Sequence, residues 1–66
     1  MFAIEWLRRG SRVDKKISVL TNETGVIFSA KKWALDAAKR HPGREPDSFR
    51  LTDATGKAAG APIRLA

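Results

Sequence analysis

Residues 2–21 read FAIEWLRRGSRVDKKISVLT, and their pattern predicts a β-hairpin. The apolar side chains at positions 2, 4 and 6 fall on one face of an extended chain, because neighbouring residues in a strand point to opposite faces. Gly10 supplies the turn, since glycine tolerates a positive φ. A second strand is predicted over residues 15–21, with Ile17 and Val19 facing the interior.

A helix is predicted over residues 30–41. Ser29 is a suitable N-cap, and Phe28 and Trp33 stand where a hydrophobic staple would join the residue before the cap to the first turn. The inner face is mostly alanine, which lets a helix lie close to a sheet. Pro42 and Gly43 end the helix. The apolar run at residues 26–28 is either a strand fragment or a packed loop, and we favour the loop.

A second hairpin is predicted after the helix. Residues 49–52 alternate, Gly56 is the left-handed turn residue, and residues 63–65 return as the last strand. Gly60 and Pro62 indicate that this strand is bulged or lies at an edge.

The predicted fold is therefore α+β with the order ββαββ. A right-handed crossover of the helix gives one four-stranded antiparallel sheet in the order 2-1-3-4, with the single helix packed on one face. The opposite face is expected to carry a mixed set of side chains: Ala3, Glu5, Leu7, Ser18, Leu20, Arg50, Thr52 and Arg64.

The 66 residues predict one small domain over residues 1–66. Cysteine is absent, so neither a disulfide nor a cysteine zinc site stabilises the chain, and a reducing cytoplasm is the expected location. The first residues lack the charge order of a secretion signal. No uncharged segment approaches the roughly 20 apolar residues of a membrane span, and contact with a membrane is not expected.

Two segments resemble a known group of proteins. Residues 22–28 (NETGVIF) lead into the alanine-rich helix, and residues 49–57 (FRLTDATGK) lead into the last strand. Together they resemble a family of small, uncharacterised bacterial ββαββ domains with an acidic-Gly-x-x-Phe entry to the helix and a Phe-x-aliphatic-x-Asp-x-x-Gly hairpin. The likeness covers about two thirds of the chain and implies a fold without an activity. A looser similarity is to the partial RNase-fold antitoxin domains of toxin–antitoxin pairs.

The residue inventory argues against catalysis. The chain has no Cys, no Tyr and a single His. His41 is expected at the end of the helix, where packing and capping explain it. Asp53 is best explained as a turn residue. Neither a phosphate-binding glycine loop nor a metal-ligand spacing occurs. We therefore predict a protein that is not an enzyme and needs no cofactor.

The net charge of +6 favours anionic partners. Two groups of cations are the candidate anion-binding residues: Arg8, Arg9, Arg12, Lys15 and Lys16 around the first hairpin turn, and Lys31 and Lys32 in the first helical turn. Lysines there oppose the helix dipole, so they are either simply solvated or part of an anion site with the free N–H groups. The hairpin cations are likewise either a solvated loop or a phosphate contact.

Two functions follow from this inventory. The first is a non-enzymatic binding module for nucleic acid or another anionic macromolecule. The alternative is a protein-interaction or self-associating module, a homodimer included, that uses the open sheet face or the sheet edges; Leu7 and Leu20 suggest it. Trp6 and Trp33 are expected to pack in the core and not to stack on bases.

Overall fold

The computed structural model describes residues 2–19, 21–53 and 55–65. These residues form four strands and one helix: β1 (Phe2–Arg8), β2 (Ser11–Ser18), α1 (Glu23–Arg40), β3 (Ser48–Thr52) and β4 (Ile63–Arg64). The strands make one antiparallel sheet in the order β2-β1-β3-β4. The predicted α+β architecture, its ββαββ order and its strand order are confirmed. Leu20, predicted on the open face, lies outside the described residues.

The first hairpin turns over two residues, Arg9 and Gly10, which both have positive φ (52° and 83°). Such turns match the right-handed twist of the strands they join. The pairing register then shifts, because Trp6 faces Asp14 whereas Leu7 faces Arg12. Val13 is thus the extra residue of a β-bulge.

The bulge reverses the sheet face to which each later residue of β2 points. Ile17 pairs with Ala3 on the face away from the helix and is 63% exposed, and Val19 lies beyond the strand end and is 86% exposed. The prediction that Ile17 and Val19 face the interior is therefore wrong. β2 also starts at Ser11 and not at Lys15, since the turn before it is so short.

Helix α1 begins seven residues earlier than predicted. Asn22 is the N-cap, and its side-chain oxygen accepts a hydrogen bond from the Gly25 N–H at 3.0 Å. Val26 lies one turn before Ala30, and both are fully buried, so packing on the sheet favours the longer helix. The packed-loop prediction for residues 26–28 is wrong, as is the staple, because Phe28 is 71% exposed.

The core lies between α1 and the sheet. The buried side chains of the sheet are Ile4, Trp6, Phe49 and Leu51, and those of the helix are Val26, Ala30, Ala34 and Ala37. The small alanines bring the helix backbone close enough for the Trp6 indole Nε1–H to donate to the Ala30 carbonyl at 3.0 Å. Burial of the indole therefore leaves no unpaired donor, in agreement with the predicted packing role of Trp6.

The second hairpin is interrupted. Thr52 forms a bridge with Ala58, whereas Ser48 and Phe49 pair with Arg64 and Ile63. The pairing shifts by two residues between these points, and residues 60–62 lie outside the ladder. The prediction from Gly60 and Pro62, that the last strand is bulged or lies at an edge, is confirmed, because β4 is an edge strand of the sheet.

Candidate functional site

The sheet face opposite α1 carries most of the charged side chains of the strands. We call it the open sheet face; its strand residues are Ala3, Glu5, Leu7, Arg12, Lys15, Ile17, Ser48, Arg50, Thr52 and Arg64. The pairing of the four strands aligns these residues in rows across the sheet. One row is Lys15, Glu5 and Arg50, which are direct cross-strand partners. The next row ends in Arg12 on β2 and Arg64 on β4.

The bulge at Val13 creates this arrangement. Arg12 and Lys15 are three residues apart, so in a regular strand they would lie on opposite faces. The extra residue between them places Arg12 opposite Leu7 and Lys15 opposite Glu5, both on the open sheet face. A bulge that redirects side chains in this way is a recurrent feature of functional strands.

Glu5 lies in the middle of the open sheet face, and its side chain is only 9% exposed. Its Oε1 accepts from Arg50 Nε at 2.6 Å, and its Oε2 lies 3.4 Å from Arg12 Nη1. The hydrogen bond from Arg50 is the largest cause that lowers the pKa of Glu5; burial opposes it, and Arg12 adds to it. The carboxylate thus stays ionised and holds two guanidinium groups over the sheet, each still largely exposed to solvent.

The open sheet face has an apolar end. A pocket of about 180 Å³ lies there beside Lys15. Phe2, Ala3, Ile17 and Thr52 supply its carbon surface, and the turn at Asp53 and Gly56 forms its outer wall.

Arg8 and Arg9, which were predicted as anion contacts, lie at the hairpin turn beside the main chain of Glu45 and the carboxylate of Asp47. The Arg8 guanidinium donates to the Glu45 carbonyl at 2.8 Å, and the Arg9 N–H donates to Asp47 Oδ2 at 3.0 Å. That bond from Arg9 is the largest cause of the lowered pKa of Asp47, which therefore stays negative beside the turn. The carboxylate reduces the positive field of this corner.

Lys16 lies on the opposite side of the sheet from Arg12 and Lys15. It pairs with Ile4 on the helix-covered face, and its Nζ lies 4.1 Å from the centre of the Trp33 ring. A cation over an indole in this geometry is attracted by the ring electrons. Lys16 thus joins β2 to α1, and Trp33 is partly buried against the core, as predicted.

Lys31 and Lys32 are exposed in the middle of α1. Because Asn22 caps the helix, they are not in its first turn, and the prediction of an anion site made from these lysines and free N–H groups is wrong. The seven predicted cations therefore occupy separate places. Only Arg12 and Lys15 come together on the open sheet face.

Asp14 joins β2 to the end of α1 through contacts with Arg40 and His41. Asp14 Oδ2 accepts from Arg40 Nη2 at 2.6 Å and lies 3.5 Å from His41 Nε2. Burial is the largest single influence on the pKa of Asp14 and raises it. The hydrogen bonds from Arg40 and from the Lys15 N–H, with the charge of Arg40, together outweigh burial, so the pKa of Asp14 is lowered. This contact explains the position of His41 structurally.

The sequence predictions did not include Arg50 and Arg64 among the candidate anion-binding residues, and they did not foresee that Glu5 accepts hydrogen bonds from Arg50 and Arg12. Each was placed on the open face by alternation, but each stands alone in the sequence, without a neighbouring cation. Leu7, in contrast, was expected to offer an apolar contact there and is buried.

Other kinds of site find no support among the described residues. Their His, Asp and Glu side chains do not gather in groups of three that could hold a metal ion. Within the same residues, α1 lacks the long apolar run that crossing a membrane requires. No known family matches the chain, and neither a characterised protein nor a solved structure is significantly similar to it. The resemblance to bacterial ββαββ domains stays a prediction.

Proposed function

We propose that this protein is a nucleic-acid-binding module that contacts the phosphate backbone through its open sheet face. One observation carries the proposal: Arg12, Lys15, Arg50 and Arg64 share this face, and its one carboxylate among the strand residues, Glu5, is buried beneath two of them. Cations grouped on one surface are the electrostatic footprint of proteins that bind nucleic acids.

The spacing of the four cations suits a chain of phosphates. Neighbouring strands lie about 4.8 Å apart, so Lys15 and Arg50, with β1 between them, are about 10 Å apart at their backbones. Arg12 and Arg64 are separated by about three strand spacings, or roughly 14 Å. A surface of this width can contact several successive phosphates of one strand, each of which releases a counterion.

Glu5 contributes order to this surface. An arginine fork matches the planar oxygens of a phosphate, and less conformational freedom is lost when the fork is already fixed. The hydrogen bonds to Glu5 fix Arg12 and Arg50 and leave their outer N–H groups toward solvent. These contacts are sequence-independent, so affinity without base specificity is expected from them.

The test is a fluorescence-anisotropy titration with generic DNA and RNA at about 50 and 200 mM salt. Binding that neutralises several phosphates must weaken steeply, with a slope near −0.9 per phosphate for duplex DNA and about −0.7 for a single strand. Absence of binding at the lower salt would overturn the proposal.

Two double variants with the same change in net charge locate the surface. Lys15→Glu with Arg64→Glu reverses two cations of the open sheet face, and Lys31→Glu with Lys32→Glu reverses two on the helix. Neither pair takes part in the ion pairs of Glu5. The first variant should reduce the salt slope by about two phosphate contacts. Equal losses for both variants would show that net charge alone, and not this face, governs binding.

A protein partner is the second candidate, and the exposed Ile17 and Val19 at the edge of the sheet favour it. Self-pairing of β2 is disfavoured, because this edge strand carries the exposed Lys15 and Lys16, and lysines on an edge strand oppose its pairing with another chain. Sedimentation at several protein concentrations distinguishes these outcomes. Concentration-dependent dimerisation would support the second candidate, and a strict monomer would leave only a heterologous partner.

A further inference from the structure

The pocket at the apolar end of the open sheet face lies beside the proposed phosphate surface. It is continuous with the basic surface, since Lys15 stands at its rim and also belongs to the row of Glu5 and Arg50. Ile17 is the exposed apolar member of its wall. A ligand group that fits the pocket would therefore lie directly beside a bound phosphate.

The outer wall of the pocket is a turn held by several hydrogen bonds. Asp53 Oδ1 accepts from the Thr55 N–H at 2.9 Å, from the Thr55 hydroxyl at 2.6 Å and from the Lys57 N–H at 3.1 Å. Gly56 closes the turn with a φ of +85°, which other residues rarely adopt. The wall is thus fixed before any ligand arrives.

Size and lining limit what the pocket can hold. Its volume of about 180 Å³ is below the roughly 300 Å³ of sites for drug-sized ligands. Its carbon surface comes from Ala3, Ile17 and neighbouring side chains, and its polar groups stand at its edges, with Lys15 on β2 and the Asp53 turn after β3. A single flat ring system with polar edges, such as a nucleobase, has this combination of faces.

We infer, on the basis of the proposed function, that the ligand is single-stranded nucleic acid, with one base in this pocket and its phosphate on Lys15. In a duplex the base is stacked and paired, and it would have to leave the helix before it could enter. In a single strand it is free to turn toward the protein, and contact with the face of a base tolerates any sequence.

The experiment compares three probes of about ten nucleotides by anisotropy at one low salt concentration: oligothymidine, an abasic chain with the same phosphates, and a duplex. The inference predicts that oligothymidine binds about tenfold more tightly than the abasic chain. Equal affinity for these two chains would overturn the base pocket and leave the phosphate surface standing. Failure of all three probes to bind would overturn the proposed function together with the pocket.

Two matched variants place the base. Ile17→Ser removes carbon surface from the pocket, whereas Val19→Ser makes the same chemical change two residues away, outside the pocket lining. Both side chains are exposed, so circular dichroism should show both variants folded. Ile17→Ser should reduce affinity for oligothymidine to that for the abasic chain, and Val19→Ser should leave it unchanged. An equal effect of the two variants would contradict the assignment.

Discussion

The two faces of the sheet differ in how they bury their residues. On the covered face, Ile4, Trp6 and Phe49 are enclosed by a helix whose contact residues are mostly alanine. On the open face no second layer of secondary structure exists among the described residues, yet Ala3, Glu5 and Leu7 are also buried. Short side chains and one carboxylate lie there beneath long cationic ones, whose aliphatic stems cover the sheet while their charges stay in water.

This difference separates stability from binding. The covered face supplies dry apolar contacts, which dominate the free energy of folding. The open face keeps its cations exposed, and exposed ion pairs contribute little to stability. Substitutions on the covered face should therefore unfold the protein, and those on the open face should alter binding with the fold preserved.

The largest effect is expected at Trp6. Trp6→Ala removes a fully buried ring and its hydrogen bond to Ala30. The free energy of unfolding should fall by about 3–5 kcal/mol. A core this small provides a stability of roughly the same size, so the variant should be largely unfolded by circular dichroism. Lys15→Ala on the open face should change the free energy of unfolding by less than about 0.5 kcal/mol. Similar urea midpoints for both variants would contradict the division of roles.

A smaller effect is expected at Glu5. Glu5→Gln removes a charge that accepts hydrogen bonds from Arg50 and Arg12, and it should lower the free energy of unfolding at neutral pH by about 1–2 kcal/mol. The loss is no larger because both arginines are exposed to water, which screens their charges.

Acid should remove the stabilisation by Glu5. Its pKa in the folded protein is lowered from the ordinary 4.5, so the stabilisation is complete above that value and is lost as pH falls through the folded pKa. Urea midpoints of the wild type and Glu5→Gln should therefore differ near neutral pH and converge in acid. A gap that stays constant or widens in acid would contradict the ion pairs. Asp14 adds a similar loss to both proteins.

The start of the helix gives a third test. Asn22→Ala removes the side-chain oxygen that accepts from the Gly25 N–H and caps the helix. The free energy of unfolding should fall by about 1 kcal/mol. Ser29→Ala, at the position where the sequence predicted the cap, lies within the helix and should be neutral or slightly stabilising. Thermal unfolding of both variants checks this prediction. A larger loss of stability for Ser29→Ala than for Asn22→Ala would support a helix that begins at residue 30.

The smallest effect is expected at Lys31. In the middle of α1, Lys31→Glu should change the free energy of unfolding by less than about 0.5 kcal/mol. In a first helical turn the same reversal would stabilise the helix by about 1 kcal/mol, because a carboxylate there complements the dipole. Chemical denaturation at low salt distinguishes the two positions.

The sequence predicted the architecture because its strongest patterns are local. Alternation in β1 and β3, the alanine face of α1 and the glycines of the turns each point to one element type, and together they led to the correct strand order. The helix start was missed because Asn22 and Ser29 both satisfy the capping rules. Burial of Val26 against the sheet decides between them, and that contact depends on the tertiary fold.

The site was predicted only in part, for a similar reason. A two-residue turn followed by regular pairing would place Ile17 on the covered face, as expected from its apolar side chain. One bulged residue, Val13, reverses this and brings Lys15 to the open face beside Arg12. Arg50 and Arg64 join them only through pairing across β1 and β3, which no local run of cations reveals.

The most direct measurement is a two-dimensional NMR titration of the protein with single-stranded oligothymidine at low salt. The side-chain Nε–H signals of Arg12 and Arg50 and the methyl signals of Ala3 and Ile17 should shift together, while the methyl signals of Leu35 on the outer side of α1 stay in place. Shifts confined to the helix or to the turn at Arg9 and Gly10, with the arginine signals unmoved, would contradict the claim that the open sheet face binds nucleic acid.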